Sequence, residues 1–176
     1  MRSMTTALML VRAAGTLAIG SGLCSSALAD NINAVKKSSS QIASMATAKD
    51  LKPQLLAVAV LTKLGNGRGD VIQTAQTMAE VLGKLRTPIG NELAEDVLLM
   101  IAAYHQGESG SIGKLPTTLQ GMKSQIDARK VRTIWYLQTN GTITQGEFDF
   151  ALQFLAIGTI AQKPSDFGVK ADPLTF

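Results

Sequence analysis

Apolar and polar residues follow one another along this chain with the period of an α-helix. The first amphipathic segment runs from about residue 31 to 47, among serine, lysine and glutamine residues. Its predicted buried face consists of Ile32, Val35, Ile42 and Met45. The next segment, Leu51 to Leu64, is apolar on nearly all sides and therefore predicts a central core helix, capped by Asp50 and closed by a left-handed Gly65.

Four further helices are predicted by the same period. Their core positions are Val71, Ala75, Met78, Leu82 and Leu85 in the third, Leu93, Val97, Met100, Ile101 and Tyr104 in the fourth, Leu119, Met122, Ile126, Ile134 and Leu137 in the fifth, and Phe148, Ala151, Leu152, Leu155 and Ile160 in the sixth. With no convincing strand, we predict a single compact all-α domain of about six helices, orthogonal or bundle-like, over residues 30–163. An irregular tail is expected at 164–176.

Capping residues and glycines mark the turns between these helices. Asp70 is placed to cap the third helix, which we expect to end before a cap or turn at Thr87-Pro88. Residues 107–113 form the longest Gly/Ser stretch and predict a mobile loop, after which Pro116 restarts a helix. Thr144, followed three residues later by a glutamate, predicts a capping box at the start of the last helix.

The first thirty residues have the layout of a secretory signal peptide. Arg2 and Arg12 give a positively charged start, and a short apolar run follows from Ala13 to Cys24. Ala27-Leu28-Ala29 then supplies the small residues that signal peptidase requires before its scission site. The apolar run is too short to span a bilayer, so we expect a mature chain that begins at Asp30 and works in the periplasm or outside the cell. Two alternatives stay open: a lipoprotein anchored through Cys24, and a mitochondrial presequence.

Composition narrows the chemistry that such a mature chain can perform. The full chain is 45% hydrophobic with a net charge of +4, and two of its arginines belong to the signal segment. The basic group at 123–132 is interrupted by Asp127, which predicts a solvated helix side and no nucleic-acid partner. One cysteine and one histidine leave no disulfide scaffold and no clustered ligands, so we expect no cofactor and no metal.

Glu108 is the one candidate catalytic residue. Gly107-Glu108-Ser109-Gly110 follows an apolar helix and resembles the catalytic segment of lytic transglycosylases and related lysozyme-like enzymes. In that family a single glutamate at a helix end protonates the glycosidic oxygen. The resemblance covers only these residues: the family's downstream Gly-Leu-Met-Gln sequence is missing, and Gly107 stands where the family continues its helix. A polar loop with a solvated glutamate is the interpretation we prefer.

The segment Thr139 to Phe148 resembles two known patterns. It is similar to the second half of an EF-hand loop, but Tyr136 and Gln138 stand where calcium needs carboxylates. It also resembles the helical hairpin of short C-terminal domains, whose second helix opens with Ile-Thr-x-x-Glu-Phe. Helix capping explains these residues without a ligand.

Three other features have structural interpretations. Arg68-Gly69-Asp70 spells an integrin-recognition tripeptide, but its aspartate is already predicted to cap a helix. His105 has no partner that would complete a catalytic triad, and a helix-terminal position is expected for it. Trp135 and Tyr136 are expected in the core rather than on a stacking platform.

The sequence therefore predicts an exported, non-enzymatic helical protein that binds a protein partner in the cell envelope or outside the cell. An inhibitor, an immunity protein, a chaperone and a secretion accessory all fit this description. The alternative is a divergent peptidoglycan-cleaving enzyme that uses Glu108. A structural homo-oligomer built on the helix from Leu51 to Leu64 is a third hypothesis.

Overall fold

A computed structural model describes residues 22–89, 96–108, 114–122 and 133–176. Within these ranges the secondary structure is helical and contains no strand, which confirms the predicted all-α class. The helices are α1 (Gly22–Lys37), α2 (Ser39–Ala48), α3 (Pro53–Leu64), α4 (Val71–Ile89), α5 (Val97–Glu108), α6 (Lys114–Met122), α7 (Ile134–Thr139), α8 (Gln145–Gln162) and the 3₁₀ helix Pro164–Phe167. Across the same ranges, no helix is both long enough and apolar enough to cross a bilayer.

The chain divides into two compact units. The first, which we call the terminal unit, comprises the described residues up to Met78 and from Leu152 onward. The second, the middle unit, comprises the described residues from Ala79 to Ala151. The domain boundaries predicted at residues 29 and 163 stay predictions, and the tail that follows 163 belongs to the terminal unit.

Helix α3 forms the centre of the terminal unit, as its sequence predicts. Five of its residues have no solvent exposure: Leu56, Ala57, Ala59, Val60 and Leu61. A helix that is apolar all round has to be covered on several sides, and α3 packs against both α1 and α2. Helix α8 also comes close, because a Cβ built on Gly158 would lie 3.2 Å from Val58 Cγ1.

The first predicted helix is two helices in the structure. α1 ends at Lys37 and α2 begins at Ser39, with Ser38 in a turn at φ −97° and ψ 10°. Three consecutive serines have low helix propensity because their hydroxyls compete for backbone hydrogen bonds, which accounts for a break at this place. The predicted buried face is otherwise present: Ile32, Val35 and Ile42 are buried, and Met45 is half-buried.

Asp50 does not cap α3, contrary to the prediction. It has a left-handed φ of 54° and belongs to the turn that closes α2, where the Leu51 amide donates to the Ala46 carbonyl at 2.9 Å. Aspartate tolerates this conformation better than most residues. Helix α3 begins instead at Pro53, whose missing N–H costs nothing in a first turn. Gly65 ends α3 with a positive φ of 54°, as expected, although its ψ of −124° lies outside the left-handed helical region.

Helix α4 has the predicted beginning and a later end. The Asp70 carboxylate accepts hydrogen bonds from the amides of Ile72 and Gln73 at 2.8 and 2.9 Å, which confirms the cap. The predicted cap or turn at Thr87-Pro88 is wrong, because α4 continues to Ile89. Pro88 lacks one backbone N–H donor, and the helix continues through it.

The fifth predicted helix also differs from the structure. α6 begins at Lys114, two residues before Pro116, and ends at Met122, whereas α7 is a separate helix of six residues. With this division and the break at Ser38, the described residues alone form eight α-helices, compared with about six predicted for the domain. Leu93, Ile126 and the basic group at 123–132 lie outside the described residues.

The tail is irregular after its 3₁₀ helix, as predicted, but it is attached to the terminal unit. Val169 and Leu174 are buried. The Leu174 amide donates to the Ala161 carbonyl of α8 at 2.8 Å. Lys36 of α1 and Asp172 form an exposed ion pair at 3.0 Å. The tail therefore covers part of the core, which its lack of periodicity did not indicate.

Candidate functional site

The C-terminal end of α5 gathers the polar side chains that the sequence singled out. Residues 99–104 of this helix are buried, and the Asp96 carboxylate caps its start by accepting from the Leu98 and Leu99 amides. The predicted loop at 107–113 is wrong for its first two residues, because Gly107 and Glu108 belong to α5. Residues 109–113 lie outside the described ranges.

Glu108 is exposed, and its carboxylate is a hydrogen-bond acceptor. The Tyr104 hydroxyl, one turn earlier on the same helix face, donates to Glu108 Oε1 at 3.0 Å. Tyr104 is 3% exposed, and burial, with the Glu108 charge adding to it, raises the pKa of its phenol. A lysozyme-like acid instead donates a proton from an apolar pocket. The exposed position and the acceptor role of Glu108 do not match that arrangement.

His105 is half-buried in the last turn of α5, where a histidine interacts favourably with the helix dipole. Its ring lies 4.8 Å from the ring of Phe150 on α8, and Tyr104 stacks on the same phenylalanine at 6.3 Å. The helix-terminal position of His105 was predicted, whereas its packing against Phe150 was not. In the part of the chain that the structure describes, no three histidine, cysteine or acidic side chains are grouped to hold a metal ion.

A buried polar network in the middle unit was not predicted from the sequence. Gln106 and Glu147 are 9% and 6% exposed, and Gln106 Nε2 donates to Glu147 Oε1 at 3.3 Å. Gln106 Oε1 accepts from the Leu115 amide in the first turn of α6 at 2.7 Å. One glutamine side chain thus connects three helices. The only available signal was a glutamine within an otherwise apolar helix, which does not reveal its partners.

The predicted capping box at the start of α8 is confirmed. The Thr144 amide donates to Glu147 Oε2 at 2.8 Å, and the Glu147 amide donates to Thr144 Oγ1 at 3.3 Å. Both carboxylate oxygens of Glu147 therefore accept hydrogen bonds from within the protein. The EF-hand-like residues form a helix cap, as the sequence indicated.

Trp135 is 47% exposed, so its predicted core position is wrong. The buried face of α7 consists of Ile134 and Leu137, three residues apart, and a side chain next to Ile134 points about 100° away from that face. The Trp135 ring is held edge-on by half-buried Phe148 of α8, with centroids 6.2 Å apart and planes at 84°. Tyr136 is half-buried. The α7–α8 hairpin therefore presents an oriented indole to solvent.

Two other predicted positions are at the surface of the terminal unit. Arg68 and Asp70 are both exposed, and the aspartate is engaged as the α4 cap. Leu155 is 39% exposed although it was expected in the core, because the buried face of α8 in this unit is formed by Phe154, Ile157 and Ala161.

The terminal unit also contains an open groove of about 690 Å³ between α1 and the tail. It is lined by Asn33, Ser165 and residues 168–172, of which Asp172 is paired with Lys36. The lining mixes polar and apolar groups without a buried charge, so the groove does not define a ligand class.

Comparison with known proteins assigns none of these residues a role: no family model, no curated protein and no solved structure matches the chain.

Proposed function

We propose that this protein is exported and acts by binding a protein partner in the cell envelope or outside the cell, without catalysing a reaction. The observation that carries the proposal is the exposure of Trp135, the single tryptophan of the chain. Tryptophan is strongly enriched among the residues that dominate binding energy at protein interfaces. A half-exposed indole on a folded hairpin offers a partner a large apolar contact.

The hairpin around Trp135 is organised before any partner arrives. Between α7 and α8, the amides of Thr142 and Ile143 both donate to the Leu137 carbonyl, at 2.8 and 3.3 Å. The capping box fixes the start of α8, and Phe148 fixes the edge-on position of the indole. A preorganised side chain loses little conformational entropy on binding, which favours affinity.

Export rests on the leader-like residues before Asp30, and the fold is compatible with their removal. The contacts that attach α1 to the terminal unit include residues that follow the predicted scission site. Asn31 Nδ2 donates to the carbonyls of Gly65 and Gly67 at 3.1 and 3.0 Å, and Lys36 pairs with Asp172. Inhibitor, immunity, chaperone and secretion-accessory roles all fit such a protein.

Site-specific photo-crosslinking in the producing cell tests the proposal. A photoreactive amino acid replaces Trp135 in one variant and Thr118, an exposed residue on α6, in the control. We expect the variant at 135 to form an adduct with one envelope or extracellular protein, in which this chain starts at Asp30, and the variant at 118 to form less of it. Equal adducts at both positions, or adducts only with full-length chain inside the cell, would contradict the proposal.

An assay for peptidoglycan cleavage separates binding from the enzymatic alternative. Purified protein that starts at Asp30 is incubated with peptidoglycan, beside its Glu108→Gln variant. We expect neither protein to release soluble muropeptides, because Glu108 is exposed and accepts a hydrogen bond where an acid would have to donate a proton. Release by the wild type and not by the variant would replace the proposed function with catalysis.

A further inference from the structure

The predicted scission site lies inside a helix. α1 runs without interruption from Gly22 to Lys37, so the Ala29–Asp30 peptide bond is in the middle of the helix and not at a frayed end. The Asp30 side chain is exposed, but the residues that flank it are packed. On one side Leu28 and Ala29 are 7% and 6% exposed, and on the other Asn31 and Ile32 are 7% and 0% exposed.

Such a bond is inaccessible to a peptidase while the helix is folded. Scission is a hydrolysis in which the C–N bond breaks, the hydroxyl of a water molecule joins the Ala29 carbonyl carbon, and a proton goes to the Asp30 nitrogen. A protease can reach that carbonyl only when the surrounding backbone opens. Here opening would break helical hydrogen bonds, expose Leu28 and Ile32, and strain the two bonds that Asn31 makes to the 65–67 turn.

We infer that scission and folding exclude each other in this protein. Signal peptidase cuts the Ala29–Asp30 bond only while the terminal unit is unfolded, and a precursor that folds first keeps its leader. The inference rests on the proposed export, because it takes the Ala27-Leu28-Ala29 site as real. It also defines the class of transport: the chain has to reach the membrane unfolded, since a transporter of folded proteins would deliver a protected bond.

The residues after the bond explain why folding can follow scission. Ile32 and Val35 remain in the mature chain and are fully buried, and Asn31 remains to hold the 65–67 turn. Leu28 and Ala29, which are buried before scission, leave the core together with the leader. The mature protein therefore folds with a shortened α1 and the same anchor.

Digestion of the purified full-length chain by signal peptidase in detergent micelles tests the inference. The chain is presented either folded or freshly diluted from denaturant, and the product 30–176 is quantified by intact mass. We expect the unfolded chain to be cut after Ala29 and the folded chain to be cut at least about tenfold more slowly.

Two neighbouring substitutions provide a matched pair of variants. Ile32→Asp places a carboxylate at a fully buried position and should open α1, whereas Asn33→Asp places the same side chain at an exposed position one residue later. We expect Ile32→Asp to be cut in buffer nearly as fast as the unfolded wild type, and Asn33→Asp to be protected like the folded wild type. Hydrogen exchange at the α1 amides measures how far each variant has opened.

The possible outcomes separate the inference from the proposed export. A cutting rate that rises with the α1 exchange rate across the variants supports the inference. Equal cutting of folded wild type and of Ile32→Asp, or rapid cutting while the α1 amides stay protected, overturns it and leaves export standing. An unfolded chain that is not cut after Ala29 overturns the proposed export and the inference together.

Discussion

Each unit of this protein has a buried side-chain amide that joins distant segments of the chain, and the two amides lie in different surroundings. In the terminal unit Asn31 donates to the carbonyls of Gly65 and Gly67. In the middle unit Gln106 donates to Glu147 and accepts from the Leu115 amide. Both side chains are less than 10% exposed. They differ in the exposure of the hydrogen-bond partners that would be left unpaired if each amide were removed.

The partners of Asn31 lie near solvent, whereas those of Gln106 do not. Gly67 is exposed and Gly65 is half-buried, so water can replace the asparagine at those carbonyls. Leu115 is 1% exposed and Glu147 is 6% exposed, and water has little access to either. An unpaired buried group, above all a charged one, costs far more than an exchanged surface hydrogen bond. Removing the buried amide should therefore lower the free energy of unfolding more in the middle unit than in the terminal unit.

Gln106→Leu should have the largest effect among these substitutions. It leaves the Leu115 amide and the Glu147 carboxylate each short of a partner in a buried place, and we expect the free energy of unfolding to fall by about 3 kcal/mol. Urea unfolding followed by the fluorescence of Trp135, which reports on the middle unit, measures it. Gln145→Leu, at an exposed position in the same unit, is the control and should change it little. An equal loss of unfolding free energy in Gln106→Leu and Gln145→Leu would contradict the importance given to the buried partners of Gln106.

Asn31→Leu should cost less, about 1.5 kcal/mol, because water takes over at the freed turn carbonyls while the new side chain stays buried. Urea unfolding followed by far-UV circular dichroism measures the change. A loss as large as that of Gln106→Leu would show that the 65–67 turn depends on Asn31 as strongly as the middle unit depends on Gln106.

Thr144→Ala tests the part of the middle-unit network that faces solvent. The substitution removes the hydroxyl that accepts from the Glu147 amide, and loss of such a cap should lower the free energy of unfolding by about 1 kcal/mol. Gln145→Ala, which removes only exposed contacts with Gln138 and Asp149, should cost a few tenths of that, roughly 0.3 kcal/mol. Equal effects would mean that α8 starts elsewhere.

Tyr104 should make the free energy of unfolding depend on pH in the alkaline range. Because burial raises the pKa of its phenol in the folded chain, the unfolded chain loses that proton first as the pH rises. Its contribution to the free energy of unfolding should be constant below the unfolded pKa of about 10 and should decline above it. Urea unfolding between about pH 9 and 11 should show a steeper decline for wild type than for Tyr104→Phe. If the free energy of unfolding declined equally with pH in wild type and in Tyr104→Phe, the raised pKa of Tyr104 would be contradicted.

The sequence was informative wherever a local rule decides the structure. The apolar run of α3 predicted a covered helix, and the Asp70 and Thr144 caps follow from their own side chains and the next three residues. Residues that share a stripe, such as Ile32, Val35 and Ile42, were correctly placed in the core. These features depend on neighbours within a few positions, which a single sequence displays.

Features that depend on tertiary contacts were missed. Gln106 meets Glu147 across 41 positions, and Asn31 meets the 65–67 turn across more than thirty. Trp135 was assigned to the core from its type, although the Ile134 and Leu137 stripe already placed it off the buried face. Asp50 looks like a cap for the helix that follows, but it closes the helix that precedes it. The contacts of Gln106 and Asn31 depend on tertiary packing, whereas Trp135 and Asp50 are errors in choosing between local alternatives.

The mass of the protein isolated from the cells that make it tests the central claim of export most directly. If Ala27-Leu28-Ala29 is a signal-peptidase site, intact mass spectrometry of the envelope or extracellular fraction will show a chain that begins at Asp30 and is otherwise unmodified. A chain that retains residues 1–29, or one that begins at a lipidated Cys24, would contradict the account.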